Sequence, residues 1–246
     1  MDLREKVALI TGGRRMGASV AVELARRGAH LSLSYRTSPD AAAEAAKEVE
    51  GCGRSALITQ ADLKDSFACQ GLIESTVKSL GGLHVVINMA STYRSTSFNE
   101  LTESHLTEAL QVDLNSTYAC SLAAVPHMRR AGGGHIVNFS DWTAASGRPR
   151  YQGFLPYYVA KTAVIGLTEA LALELASDSI FVNAIAPGPI RPPADMESDE
   201  IIAVSQATPL GKWGGDQEIA KAVVSLLESD FVTGQTIRVD GGRHLK

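Results

Sequence analysis

Tyr157 and Lys161 are the two side chains whose types and spacing most directly suggest catalysis. They are four residues apart in the run Tyr-Tyr-Val-Ala-Lys, so on a helix they share one face. A free tyrosine titrates near about 10, which is too high for an acid–base catalyst at neutral pH. Because an ammonium group one turn away stabilises the phenolate, we expect Lys161 to lower the pKa of Tyr157. Such pairs also occur by chance on helix surfaces, so the position of this pair in the fold decides whether it is catalytic.

A glycine-rich turn, Thr11-Gly12-Gly13-Arg14-Arg15-Met16-Gly17, follows the first predicted strand. Glycines permit a tight turn and a close approach of the backbone to a ligand, and the following helix offers free N–H groups to a pyrophosphate. The position of the turn predicts a dinucleotide site that Gly12, Arg14, Arg15 and Met16 contact. An ordinary strand-to-helix turn is the alternative.

The end of the second strand indicates which dinucleotide binds. An NAD site places a carboxylate there for the ribose 2′-hydroxyl, whereas here the first acid comes only at Asp40. Arg36, with Arg14 and the hydroxyls of Thr37 and Ser38, suits a 2′-phosphate through charge-assisted hydrogen bonds. We therefore predict NADP(H), the alternative being that Arg36 is a solvated surface arginine.

Strand-like and helix-like stretches alternate along the chain. The predicted strands are Lys6–Thr11, His30–Tyr35, Arg54–Gln60, Leu83–Asn88, His135–Phe139, Ile180–Ala186 and Thr236–Val239. The predicted helices include one ending before Gly28, one that Ser38 caps, one with core side chains from Cys69 to Leu80, then Thr102–Arg130 and Tyr157–Ala176. This pattern predicts an α/β fold: a single Rossmann-type doubly wound domain over residues 1–246, with a seven-stranded parallel sheet and helices on both faces.

The whole chain resembles the short-chain dehydrogenase/reductase family. The motifs that match are the glycine-rich turn, Asp62-Leu63, Asn88-Met89-Ala90-Ser91, the Tyr157–Lys161 pair, Pro187-Gly188 and Val239-Asp240-Gly241-Gly242. The resemblance implies that Asp62 and Leu63 lie at the adenine and that Asn88 and Ala90 line the cofactor. It also implies that Lys161 holds the nicotinamide ribose.

The sequence departs from the family pattern at two acidic positions. Asp141 stands where the family has its catalytic serine, and Asp113 stands in the place of the family's asparagine. Ser140 is no substitute, because adjacent strand residues point to opposite faces. A serine hydroxyl donates a hydrogen bond to a ketone oxygen, whereas an ionised aspartate only accepts. Asp141 therefore suits a substrate with N–H donors, or, when protonated, one with a ring nitrogen.

Within the family this arrangement resembles the pteridine reductases and the bacterial dihydromonapterin reductases. Those relatives also have an aspartate in the serine position, and Tyr93, after Ala-Ser-Thr, falls where their aromatic residue stacks on the pteridine. Trp142 follows Asp141, and we expect it to border the substrate pocket or to serve packing. The run between Asp141 and Tyr157 is a few residues longer than usual.

Composition excludes several classes of function. A net charge of −4 gives no basic patch, so a nucleic-acid or membrane partner is not expected. No apolar run is long enough for a membrane span, the six histidines and three cysteines show no metal-ligand or disulfide pattern, and we predict a cytoplasmic protein without a metal. The almost wholly apolar stretch Ala163–Ala176 predicts a homodimer or homotetramer.

Three functions remain open from the sequence. The first is reduction of a pteridine-like heterocycle by NADPH, with Tyr157 and Asp141 managing protons. The second is reduction of a carbonyl group in a ketone, a sugar or a 3-oxoacyl thioester. The third is an NADP(H)-binding sensor with weak catalysis, which the altered turn and Asp113 keep open.

Overall fold

The computed structural model of the chain describes residues 1–12, 16–193 and 196–246. Within these residues a parallel seven-stranded sheet has the order β3-β2-β1-β4-β5-β6-β7. The strands are β1 Val7–Thr11, β2 His30–Tyr35, β3 Ala56–Gln60, β4 Val85–Asn88, β5 Gly134–Phe139, β6 Ile180–Pro187 and β7 Thr236–Val239. Every predicted strand is present, and the fold class is confirmed.

Helices cover both faces of this sheet. In the described residues they are α1 Met16–Arg26, α2 Asp40–Gly51, α3 Ser66–Leu80, α4 Glu103–Ala109, α5 Ser116–Arg130, α6 Trp142–Ala145, α7 Leu155–Leu175, α8 Ser198–Ala207 and α9 Asp216–Leu227. Side chains of α1, α2 and α9 form the core on one face, and those of α3, α5 and α7 form it on the other. None of the helices in the described ranges combines the length and apolarity that crossing a membrane requires.

Two details differ from the sequence prediction. Helix α2 begins at Asp40, and its N-cap is Pro39, not Ser38. The Ser38 hydroxyl donates to the Asp40 carboxylate at 2.7 Å and accepts from the Asp40 backbone N–H at 3.4 Å. The predicted Thr102–Arg130 helix is interrupted by a π-helical turn, Leu110–Asn115, between α4 and α5. A widened turn of this kind shifts the side chains that follow it and is frequent at functional sites.

The sheet brings the ends of its central strands to one edge. Thr11 of β1 pairs with Asn88 of β4, and Asn88 pairs with Asn138 of β5. The helices that follow β1 and β4 lie on opposite faces, so a crevice opens between these strands at their carboxyl ends. Ligands of doubly wound sheets bind in this crevice.

Candidate active site

Tyr157 lies in the first turns of α7 beside the end of β5. Its hydroxyl donates to Oδ2 of Asp141 at 3.2 Å. The structure thus brings together two side chains that are far apart in the sequence. Ser140 faces away, as strand alternation predicts, and its hydroxyl donates to the Lys161 carbonyl at 2.8 Å.

Asp141 is also the N-cap of the short helix α6. Its Oδ1 accepts from the Thr143 backbone N–H at 2.8 Å and from the Thr143 hydroxyl at 2.6 Å. Burial raises the pKa of Asp141 above its ordinary value, although these hydrogen bonds oppose the shift. The carboxyl is held in one orientation by α6 and presents its other oxygen to Tyr157.

Lys161 lies one turn after Tyr157, and its side chain is only 3% exposed. Its ammonium group is 3.0 Å from Oδ1 of Asp113 and donates to the Phe139 carbonyl at 2.8 Å. The same group is 5.7 Å from the centre of the Tyr157 ring. Lys161 therefore lies in a buried ion pair, where it has a carboxylate partner as well as a tyrosine neighbour.

The expectation that Lys161 lowers the pKa of Tyr157 is wrong for this structure. Burial, followed by the nearby carboxylates of Asp141 and Asp113, raises the pKa of Tyr157 well above its ordinary value. Two negative charges and desolvation outweigh one ammonium group that Asp113 already neutralises. Tyr157 is accordingly a neutral hydroxyl that donates a hydrogen bond.

The Asp113 carboxylate is fixed from three sides. It projects from the π-helical turn with no exposed area, and the Ser91 hydroxyl donates to its Oδ1. The backbone N–H and the hydroxyl of Thr92 donate to Oδ2 at 3.2 and 2.8 Å. Asp113 therefore connects Lys161 to the loop after β4.

That loop carries Tyr93 to the mouth of the site. The Tyr93 ring stacks on Phe154 at a centroid distance of 4.7 Å and meets the Tyr157 ring edge-on at 5.1 Å. Tyr93 remains 59% exposed. Tyr93 and Tyr151 line a cleft together with Asp141, Trp142 and Tyr157.

Trp142 packs in the wall of this cleft. It is buried, and the guanidinium groups of Arg150 and Arg243 lie 5.6 and 5.9 Å from its ring centre. Arg150 also donates to the His244 carbonyl at 3.1 Å, which holds the last residues against the cleft rim. Trp142 thus borders the cleft and packs at the same time.

The crevice beside β1 fits a dinucleotide. Gly12 has a φ of +69°, and a Cβ there would lie 2.7 Å from the Ala90 Cα, so only glycine allows this approach of the two loops. The Thr11 hydroxyl accepts from the backbone N–H groups of Met89 and Ala90 at 3.1 and 3.3 Å. Asn88 is buried, and its Oδ1 has no partner among the described residues. A buried unpaired oxygen at this edge suits a ligand donor.

The structure describes only some of the residues predicted to bind the 2′-phosphate. Arg36 and Thr37 are exposed at the end of β2, and the Arg36 carbonyl accepts from the Gln60 side chain at 3.0 Å. The Ser38 hydroxyl is engaged with Asp40. Arg14 and Arg15, which we expect to contact phosphate, lie outside the described residues.

The remaining predicted cofactor residues lie around the same edge. Met16 begins α1 and packs partly buried against the core. Asp62 is exposed after β3 and accepts from the Lys64 backbone N–H at 3.1 Å, and Leu63 is buried.

Of the predicted cofactor residues, Pro187 ends β6 and Gly188 follows it. A Cβ on Gly188 would lie 2.5 Å from the Asp240 Cβ, so these two sequence motifs pack on each other.

Three contributors to the site were missed from the sequence. Thr143 holds Asp141, Thr92 holds Asp113, and Phe154 supports Tyr93. The unusually long segment before Tyr157, which contains aromatic residues, is the sequence feature that could have indicated a role for Phe154. Among residues 1–12, 16–193 and 196–246, no group of three or more His, Cys, Asp or Glu side chains could hold a metal ion.

Comparisons with known proteins agree with this architecture. The family model described as enoyl-(acyl carrier protein) reductase matches residues 12–244. The 3-oxoacyl-(acyl-carrier-protein) reductase FabG of Staphylococcus aureus is 34% identical over 245 residues, covering 98% of this chain and 98% of that protein.

Two solved structures superpose over nearly the whole chain. The short-chain dehydrogenase/reductase from Serratia marcescens has a TM-score of 0.92 at 31% identity, covering 99% of this chain and 100% of that one. The blue fluorescent protein from a metagenomic library, crystallised with NADPH, has a TM-score of 0.90 at 29% identity, covering 99% of each chain.

Proposed function

Because the chain belongs to the short-chain dehydrogenase/reductase family, we propose that this oxidoreductase uses NADPH to reduce a pteridine-like nitrogen heterocycle. The observation that carries the proposal is the Asp141 carboxyl, 3.2 Å from the Tyr157 hydroxyl. A carboxyl at this position matches ring N–H and ring nitrogen atoms better than it matches a ketone oxygen.

Asp141 and Tyr157 can manage the protons of such a reduction. As a carboxylate, Asp141 accepts a hydrogen bond from an N–H group of the substrate. Because burial raises the pKa of Asp141, its acid form is more accessible and passes a proton to a ring nitrogen. Tyr157 stays protonated and donates a second hydrogen bond. NADPH, when bound, supplies the hydride.

The aromatic walls of the cleft support a flat substrate. Tyr93 has one face on Phe154 and is otherwise largely exposed. Offset stacking of a heterocycle on an aromatic ring adds about 1 kcal/mol beyond the area that it buries. A flat ring on Tyr93 lies beside both Tyr157 and Asp141.

NADPH is preferred over NADH in this proposal because of Arg36. Arg36 is exposed at the end of β2, and the first carboxylate that follows it in the sequence is that of Asp40. The similarity to a protein crystallised with NADPH gives further support. Gly12, Asn88, Ala90 and Lys161 are proposed to hold the rest of the cofactor.

The test is consumption of NADPH with dihydrobiopterin, dihydromonapterin and dihydrofolate. We expect turnover of at least one, with NADH much less effective. Failure with all three would contradict the heterocycle proposal.

Reduction of a 3-oxoacyl thioester or another ketone is the second candidate, and the similarity to the staphylococcal 3-oxoacyl reductase favours it. The Asp141→Ser variant separates the two. If the substrate is a ketone, the serine hydroxyl donates to its oxygen and activity is kept or improved. If the substrate is a pteridine, the loss of the carboxyl lowers kcat/KM by roughly 100-fold or more.

A further inference from the structure

An acidic and a basic side chain both line the aromatic cleft. Asp141, beside Tyr157, is the acidic one, and Arg150 is the basic one. The aromatic rings around them suit any flat molecule of fitting size, so polar groups must select among flat molecules. The proposed function uses Asp141 and leaves Arg150 without a role.

The segment that carries Arg150 is held in place by other parts of the fold. The Thr96 backbone N–H, in the loop after β4, donates to the Gly153 carbonyl at 2.8 Å. The guanidinium of Arg150 lies 5.6 Å from the centre of the Trp142 ring. Because Trp142 directly follows Asp141 in the chain, Arg150 lies near the carboxyl that we assign to the substrate ring.

The hydrogen-bonding capacity of the Arg150 guanidinium is not filled. A guanidinium has five N–H donors. Its two Nη atoms donate to the backbone oxygen of His244, at 3.1 Å, and to that of Lys246, and its Nε is buried without a partner among the described residues. A substrate carboxylate is a stronger acceptor for a guanidinium than the His244 carbonyl, because both members of the hydrogen bond are then charged.

A second guanidinium lies at the same wall of the cleft. Arg243 is 5.9 Å from the centre of the Trp142 ring, and its Nε is also buried with no partner in the part of the chain that the structure describes. The nearby carboxylate of Asp240 is engaged with the His244 imidazole at 2.7 Å. Two guanidinium groups therefore lie against Trp142, whereas the acidic group of the cleft lies beside Tyr157.

We propose that Arg150, with Arg243 beside it, forms an anion subsite that selects a flat heterocycle carrying a carboxylate on a side arm. The inference deepens the proposed function and rests on it for the identity of the ring. The ring nitrogen atoms lie at Asp141, and the carboxylate of the arm binds the Arg150 guanidinium. A hydrogen bond between charged groups strengthens binding by roughly tenfold or more.

Calorimetric binding in the presence of NADP+, which cannot reduce the ligands, tests the subsite without turnover. The acidic probes are pterin-6-carboxylate and folic acid, and the neutral probe with the same ring is 6-hydroxymethylpterin. Arg150→Gln removes the charge and keeps an N–H donor for the His244 carbonyl. We expect it to weaken at least one acid by roughly tenfold or more, and the neutral pterin by less than about twofold.

Arg148→Gln is the matched control. It removes the charge of an exposed arginine two residues earlier in the same segment, and we expect no change in the binding of any probe. A role of Arg150 that is only structural, such as holding His244, would weaken the acids and the neutral pterin alike. That outcome, or unchanged binding of both acids, would overturn the inference.

Salt dependence in the unaltered protein decides if circular dichroism shows that Arg150→Gln does not fold. Between about 0.05 and 0.5 M NaCl, the affinity for an acid should fall by roughly threefold or more, and the affinity for the neutral pterin should not. The net charge of −4 would by itself give the opposite trend for an anion. An equal salt dependence of acidic and neutral probes contradicts the subsite.

A pair of ligands without ring nitrogen atoms separates this inference from the proposed function. These are 2-naphthoate and 2-naphthylmethanol. If no pteridine binds or is reduced, but 2-naphthoate is preferred and Arg150→Gln removes the preference, the heterocycle function is contradicted and the subsite is supported. If pteridines are reduced, but no acid is preferred over its neutral counterpart, the function is supported and the subsite is overturned.

Discussion

At the scale of single residues, the carboxyl group of Asp141 makes two kinds of contact at once. One oxygen caps α6 through Thr143, and the other meets Tyr157. The cap fixes the orientation that the proposed chemistry requires.

The stability of the protein should report the ionisation of Asp141. Its folded-state pKa is raised above the ordinary value of 3.8, so its ionisation costs stability as pH rises through the folded-state pKa. We expect Asp141→Asn, which keeps an acceptor for Thr143, to raise Tm more at pH 8 than at pH 4. Thermal unfolding at both pH values measures this, and an equal change in Tm at both would contradict it.

Arg36 should determine the choice of cofactor. We expect Arg36→Ala to raise the KM for NADPH by roughly 10-fold or more, because a charge-assisted contact to the 2′-phosphate is lost. The KM for NADH should stay nearly unchanged, since NADH has no such phosphate. Equal effects on both cofactors would indicate that Arg36 acts only on the shape of the loop.

At the scale of elements, the buried strand β5 contains a histidine whose protonation opposes folding. His135, in β5, is 2% exposed and stacks on Phe181 at 4.9 Å. Desolvation lowers its pKa from 6.5 to about 4. The unfolded chain therefore takes up a proton at mildly acidic pH that the folded chain refuses.

This histidine should make the protein acid-labile. The stability that neutral His135 provides is present above pH 6.5 and is lost as pH falls towards about 4, a change of about 3 kcal/mol. We expect His135→Leu to lose less stability between pH 7 and pH 4 than the unaltered chain does. Urea unfolding at several pH values tests this, and parallel pH dependences would exclude the histidine as the cause.

At the scale of the whole molecule, one helix layer has an apolar outer surface. Leu122 on α5 is 45% exposed, and Val159 and Leu173 on α7 are 41% and 80% exposed. The sequence pattern predicts burial on both sides of α7, whereas within the described chain the sheet covers one side. We propose that a second copy of the chain covers the other, as a homodimer or homotetramer.

Charges in this surface should disrupt such an assembly. We expect Leu122→Glu and Leu173→Glu to lower the mass found by light scattering, because an ionised carboxylate in an apolar interface is desolvated. Phe231→Glu, at a fully exposed apolar residue that follows α9 in the other layer, is the control. A monomeric unaltered protein, or unchanged mass in both variants, would contradict the proposal.

The sequence by itself determined the sheet, the crevice and the proximity of Tyr157 and Lys161. Alternating apolar strands and helices predict the parallel sheet, because each strand must be covered on both faces. Local spacing predicts that Tyr157 and Lys161 share a helix face, and the family resemblance places them beside Asp141. The similarity to the pteridine reductases stays a prediction, because none of the relatives described above is named as a pteridine reductase.

Only the tertiary structure decided how the charged groups of the site are arranged and how they affect one another. The Asp113–Lys161 pair joins residues from the π-helical turn and α7, and no local pattern in the sequence signals that contact. Nor does local spacing show that burial and two carboxylates raise the pKa of Tyr157. Electrostatic effects depend on distances and burial after folding. The spacing of apolar residues that predicts helices and strands is instead a property of the sequence itself.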